Sequence, residues 1–161
     1  KRLVATKQIN HHEDHLHQFT QDELTIMPFS LLIEGMAQTA GILVGSTTGF
    51  TEKVILAKIA KATLECDVTD GDTVRFDAAI ERVDSAGAST TGTIDRRKEG
   101  GDAWERIGKI KLMFSHIDNN LAGTEFPEHN FVFSDNFKMI LETAGLVNLI
   151  EEQKEQEQCH D

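Results

Sequence analysis

Hydrophobic positions change their period along this chain. From Met27 to Gly45 (MPFSLLIEGMAQTAGILVG) they fall at three- and four-residue steps. Phe29, Leu32, Ile33, Met36, Ala40, Leu43 and Val44 form one apolar face, which predicts a helix. Pro28 suits its first turn, and Gly45 to Gly49 (GSTTG) ends it. Ser30, Glu34, Gln38 and Gly41 make a narrow polar stripe flanked by Leu31, Ala37 and Ile42. A helix so apolar is expected to be buried, and a carboxylate within it must be paired, protonated or used. The alternative is that Glu34 and Gln38 simply face solvent as an i,i+4 polar pair.

On either side of the helix the period is two. Arg2 to Ile9 alternates and predicts a strand, followed by a polar, His-rich loop from Asn10 to Leu24. After the helix, strands are predicted over Val54–Val68, Thr73–Val83, Ala88–Arg96 and Trp104–Ile117. They are joined by the turns Thr69-Asp70-Gly71-Asp72 and Asp84-Ser85-Ala86-Gly87 and by a charged hairpin over 97–101. One buried helix beside an antiparallel meander implies an α+β fold, with the sheet wrapped on the helix. Residues 1–117 are expected to form that domain. Residues 118–161 form an extension with a helix near 134–150, capped by Ser134 or Asp135, and a polar tail. Phe137, Ile140, Leu141 and Ala144 give that helix an apolar stripe to pack on the domain or on a neighbour.

Composition narrows the function classes. The 161 residues carry a net charge of -11, which argues against nucleic acid. The charge is uneven: residues 118–161 hold ten acids and two bases. The sequence reads without a signal peptide or an apolar run of transmembrane length, so no membrane association is expected. Cys66 and Cys159 lie far apart and predict no disulfide, in keeping with a reducing cytoplasm. No metal or cofactor motif and no Gly-rich phosphate loop is present.

Met27-Pro28, followed by Leu32-Ile33-Glu34-Gly35-Met36-Ala37-Gln38, resembles the helix motif of the 3-hydroxyacyl-acyl-carrier-protein dehydratases of fatty-acid synthesis, which are hot-dog-fold enzymes. Ala57-Lys58 to Ala62 and Gly71-Asp72-Thr73-Val74 resemble the strands that follow. The resemblance covers roughly residues 2–117. It implies a lyase of lipid metabolism that removes water from a 3-hydroxyacyl thioester, with a catalytic His and acid from different protomers of a homodimer, which could assemble further. The acid corresponds to Glu34. The His corresponds best to His17, with His15 second. Counting back from Met27 without gaps gives Thr20 instead, and His11 and His12 lie too near the first strand. Where the family has Phe-Pro-Gly after the His, this chain has Gln18-Phe19, and Phe29 stands where the family has a Gly after Pro.

In that chemistry a neutral imidazole takes the C2 proton and a Glu protonates the leaving hydroxyl. The free N–H groups near Phe29 and Ser30 would hold the enolate oxygen, and Gln38 would orient the carboxyl or a water. Phe19, Ile26, Met27, Phe29 and Leu31 would contact the acyl chain. The substrate would be carried by acyl carrier protein or coenzyme A. An acidic carrier would need local positive charge, for which Lys58, Lys61, Arg96, Arg97 and Lys98 are the candidates. Two other readings remain open. One is a hot-dog protein that binds acyl thioesters without turnover. The other is a hot-dog thioesterase, which also uses a helix carboxylate.

Overall fold

The computed structural model describes residues 1–10, 13, 17–18, 25–117, 127 and 129–145, with the backbone alone at 17, 18 and 138. Seven strands are present among these residues: β1 (Arg2–Gln8), β2 (His17–Gln18), β3 (Thr25–Ile26), β4 (Val54–Leu64), β5 (Thr73–Asp84), β6 (Gly87–Arg97) and β7 (Glu105–His116). Two α-helices accompany them: α1 (Phe29–Gly45) and α2 (Asp135–Thr143).

Five strands form an antiparallel sheet in the order β1-β5-β6-β7-β4. Short turns make β5, β6 and β7 a meander, whereas β1 reaches across the sequence to pair with β5, from Arg2↔Ala79 to Gln8↔Thr73. The fold is therefore the expected α+β arrangement of one long helix against one sheet. The polar segment read as a loop contains a small two-stranded ribbon, in which His17 pairs with Ile26 and Gln18 with Thr25. Two residues cannot show an alternating pattern, so no sequence signal marks it.

Pro28 sets the helix entry at φ -56° and ψ 134°, with no side-chain cap. Its carbonyl accepts from Leu31 and Leu32. At the other end α1 tightens into a 3-10 turn (Ser46–Thr48), and Gly49 and Phe50 take positive φ of 58° and 60°. A left-handed conformation is costly for a side chain as bulky as Phe. It is held by the Phe50 N–H donating to Gly45 and by burial of the ring.

Leu32, Met36, Ala40, Leu43 and Val44 face the sheet and are buried against Val74, Phe76 and Ala78 of β5, Ile94 of β6 and Ile110, Leu112 and Phe114 of β7. Each large side chain buried this way contributes about 1.5–3 kcal/mol. The helix sits close because two glycines allow it. A Cβ on Gly35 would lie 2.6 Å from the Phe76 ring, and one on Gly92 would overlap Met36. Residues 29–48 have the length and apolarity of a membrane span, but that apolarity is spent on the core.

Two departures from strict alternation have a local cause. β4 ends at Leu64 rather than Val68, and it slips register against β7 near Ala57 and Ala60. Ile107 is buried although its parity puts it on the outer face, because a register shift between Ile94 and Asp95 leaves one extra residue on β7.

The C-terminal segment belongs to the core. Phe133 and Leu141 are buried in the main cluster, and Phe137 is half-buried against it. Ser134 caps α2 by accepting from the Phe137 N–H at 3.4 Å. Of the expected stripe, Phe137 and Leu141 pack inward while Ile140 is exposed. Residues 146–161, including the end of the helix expected to reach 150, lie outside the described residues.

Candidate functional site

The α1 polar stripe leads to the site. One face of the helix is used up by the sheet, so Ser30, Glu34 and Gln38 on the opposite face are exposed in the single chain. The expectation that Glu34 is buried does not hold there. The apolar flank of the stripe is too narrow to cover it, and the solvent-facing i,i+4 pair is what forms. Gln38 Nε2 donates to Glu34 Oε1 at 3.0 Å, which leaves Oε2 available.

That pair stands at the edge of a cavity of about 570 Å³. Its floor is Ala37, Gly41 and Ile42 of α1, with Val54 and Leu56 of β4 and Phe114 of β7. Its far wall is C-terminal: Val132, Phe133, Phe137 and Ile140. Apart from Glu34 and Gln38 every lining residue is apolar. The volume lies within the ~300–1,000 Å³ of small-molecule sites, and an apolar cleft with a few convergent polar groups is the usual form of such a site.

Asn130 sets the wall. Its Nδ2 donates to the carbonyls of Phe50, Thr51 and Glu52 at 3.1, 3.4 and 3.1 Å. Its Oδ1 accepts from the N–H groups of Val132 and Phe133 at 3.1 and 3.0 Å. One side chain thus ties the C-terminal segment to the turn after α1. Phe50, Phe133 and Phe137 then stack edge to face or tilted, with centroids 5.0–5.8 Å apart.

The other expected site residues are distributed as follows. Phe29 is half-buried against the core, and Met27 is buried within it, its N–H donating to Val68; neither lines the cavity. The backbone of His17 pairs with Ile26, just ahead of Pro28, so the chain returns this residue to the α1 entry. Phe19, His15 and Thr20 lie outside the described residues. A histidine that sequence reading passed over, His116, is buried at the end of β7 with Nδ1 2.6 Å from Glu52 Oε2. It does not line the cavity.

The expected basic docking cluster is mostly committed. Arg96 is half-buried and is bound to the Asp67 carbonyl and to Glu105 at 2.5 and 2.6 Å, so it is not a free surface cation. Lys98 reaches Asp72 at 3.4 Å. Arg97 and Arg75 flank the Trp104 ring at 5.0 and 4.3 Å. Lys58 and Lys61 are exposed on β4. On the outer face of the sheet, Asp95 is buried between Arg75 (2.8 Å) and Arg106 (2.5 Å). Burial alone would push its carboxyl upward, but the hydrogen bonds from Arg106 and Arg75 outweigh that and hold it below its usual range. The hydrogen bond from Arg2 does the same for Asp77. Among the described residues no cluster of three or more His, Cys, Asp or Glu is placed to hold a metal.

No protein-family profile matches the sequence, and no curated protein resembles it in sequence. Solved structures do match. An acyl-CoA hydrolase from Staphylococcus aureus, solved with butyryl coenzyme A and coenzyme A, superposes with a TM-score of 0.59 at 14% identity, over 97% of this chain and 88% of that one. An acyl-CoA hydrolase from Bacillus cereus gives 0.58 at 11% identity, over 98% and 90%. An acyl-CoA hydrolase from Agrobacterium tumefaciens gives 0.60 at 14%, over 74% of this chain and 44% of that protein, so this chain spans less than half of its length. The architecture is the hot-dog fold. The dehydratase resemblance holds for the fold and not for the lyase class: the matching structures are acyl-CoA hydrolases, which are hydrolases and not lyases.

Proposed function

We propose that this chain is a hot-dog acyl-CoA thioesterase that hydrolyses acyl thioesters at Glu34. The observation that carries the reading is a carboxylate, aligned by Gln38, at the edge of an otherwise apolar cavity. The solved structures it resembles, which include acyl-CoA hydrolases, support the same chemistry over elimination.

Hydrolysis asks less of a site than dehydration does. Elimination of water needs a base for C2–H and an acid for the hydroxyl, both positioned on one substrate. Hydrolysis needs one base and an oxyanion donor, because a thiol near pKa 8.5 leaves readily as a thiolate. In the proposed reaction Glu34 Oε2 takes a proton from water as the water oxygen attacks the thioester carbonyl. The oxyanion is held by the backbone N–H groups of Phe29 and Ser30 at the start of α1, which precede the bonds that Leu31 and Leu32 make to Pro28. Collapse expels the thiolate, which takes up the proton, giving a carboxylic acid and free coenzyme A. Gln38 holds the carboxylate in one rotamer, and the cavity takes the acyl chain. His17 joins the site if the α1 entry of one protomer meets the stripe of another. We therefore retain the homodimer as part of this proposal.

The test is thiol release from acyl-CoA substrates of several lengths by the purified full chain. Turnover that falls about 10²-fold or more in Glu34→Gln, with an unchanged melting temperature, is expected. A folded wild type that releases no thiol from any acyl-CoA overturns the assignment.

A further inference from the structure

We propose that the C-terminal segment 130–141 is the wall that limits acyl-chain length, with Phe137 and Ile140 as its specificity-determining residues. The inference rests on the thioesterase reading above but concerns a different part of the cavity. Phe133 meets α1 at Gly45, where an added Cβ would lie 2.5 Å from its ring. Along α1 the cavity lining runs from Glu34 to Ile42, eight residues or roughly 12 Å at 1.5 Å per residue. The cavity therefore starts at the reacting carboxylate and ends at this aromatic block. The block is a built feature: Asn130 spends five hydrogen bonds on fixing it, and Phe50 accepts a left-handed backbone to meet it. A wall of that rigidity at that distance fits a medium-length chain and rejects a long one. Ile140 lines the cavity yet is 64% exposed, so it forms the rim where a longer chain would have to leave.

The experiment compares kcat/KM on butyryl-, octanoyl- and palmitoyl-CoA for the wild type, Phe137→Ala, Ile140→Ala and Ile140→Trp. The wild type should favour octanoyl over palmitoyl. Each alanine should raise the palmitoyl-to-octanoyl ratio about tenfold, and Ile140→Trp should lower activity on octanoyl relative to butyryl by a similar factor. Ile140 is exposed enough for both of its variants to fold, so a destabilised Phe137→Ala does not decide the outcome. Dissociation constants for non-hydrolysable thioether analogues of the same three lengths are measured in parallel. If nothing is hydrolysed, the thioesterase reading fails, while a length preference in binding that shifts with Ile140 still supports the wall. A length profile that none of the variants moves, in turnover or in binding, overturns it.

Discussion

Glu34 and Gly35 are neighbours with opposite tasks, and both follow from one turn of helix. Gly35 faces the sheet, where only a hydrogen fits beneath the Phe76 ring. Glu34 faces away, toward Gln38 and the cavity. Alanine in place of Gly35 would gain about 0.5–1 kcal/mol of helix propensity. It would lose about 1–3 kcal/mol to overpacking. Gly35→Ala is thus expected to destabilise the protein by about 1 kcal/mol in denaturant titration; a rise in stability would contradict the close approach. Leu32→Ala, at a position with no exposure, should cost about 2–5 kcal/mol. The carboxylate was legible in the sequence as the one charge in an apolar helix. Its exposure was not, because periodicity shows which residues share a face and not how wide a face the sheet will cover. Arg96 shows the same limit. Its charge is visible in the sequence, but its burial depends on Glu105 of the neighbouring strand, nine residues on, and on the Asp67 carbonyl beyond the end of β4, 29 residues back.

Elements were legible where their period ran long enough. The α1 bounds follow from Pro28 and Gly45, and the β5-β6-β7 meander follows from its two turns; β4, expected as a fourth consecutive strand beside β5, instead crosses to the far edge and pairs with β7. What escaped was the C-terminal contribution. Phe131, Val132 and Phe133 form no periodic pattern, and the reach of Asn130 to three carbonyls almost eighty residues away leaves no local trace. Asn130→Ala should lower stability by about 1–3 kcal/mol through those unpaired carbonyls and N–H groups. The outer face of the sheet makes a separate prediction. Asp95 joins β5, β6 and β7 through Arg75 and Arg106, and Asp95→Ala should cost about 1–3 kcal/mol near neutral pH, since both arginines keep access to water. The folded carboxyls of Asp95 and Asp77 titrate below their usual value. Their contribution is therefore complete above roughly pH 4, the unfolded Asp value, and is lost as the pH falls through the lower folded values. Melting temperatures of wild type and Asp95→Ala should converge on acidification, and a gap that persists in acid would remove Asp95 from the account.

At the scale of the molecule, the sheet has an uneven pair of edges. β1 closes one side, and β4 lies at the other with Ile55, Leu56 and Ile59 exposed. An exposed strand of eleven residues with apolar side chains is a ready surface for pairing. Light scattering of the full chain should report a dimer or a multiple of it; a stable monomer at micromolar concentration would remove both the paired edge and the shared site.

The order of elements along the chain also sets the order in which they leave the ribosome. α1 is complete at Gly45, but the strands that cover it end at His116. At about 5–20 residues per second, synthesis of the intervening 71 residues takes roughly 4–14 s. Throughout that time a helix as apolar as a membrane span has no sheet to lie on. Pairing of β1 with β5 must wait as well, because its partners are more than sixty residues apart. The nascent chain therefore passes through an interval in which its greasiest segment is open to chaperones and to other nascent chains, and soluble yield in cells should rise when a holdase is supplied.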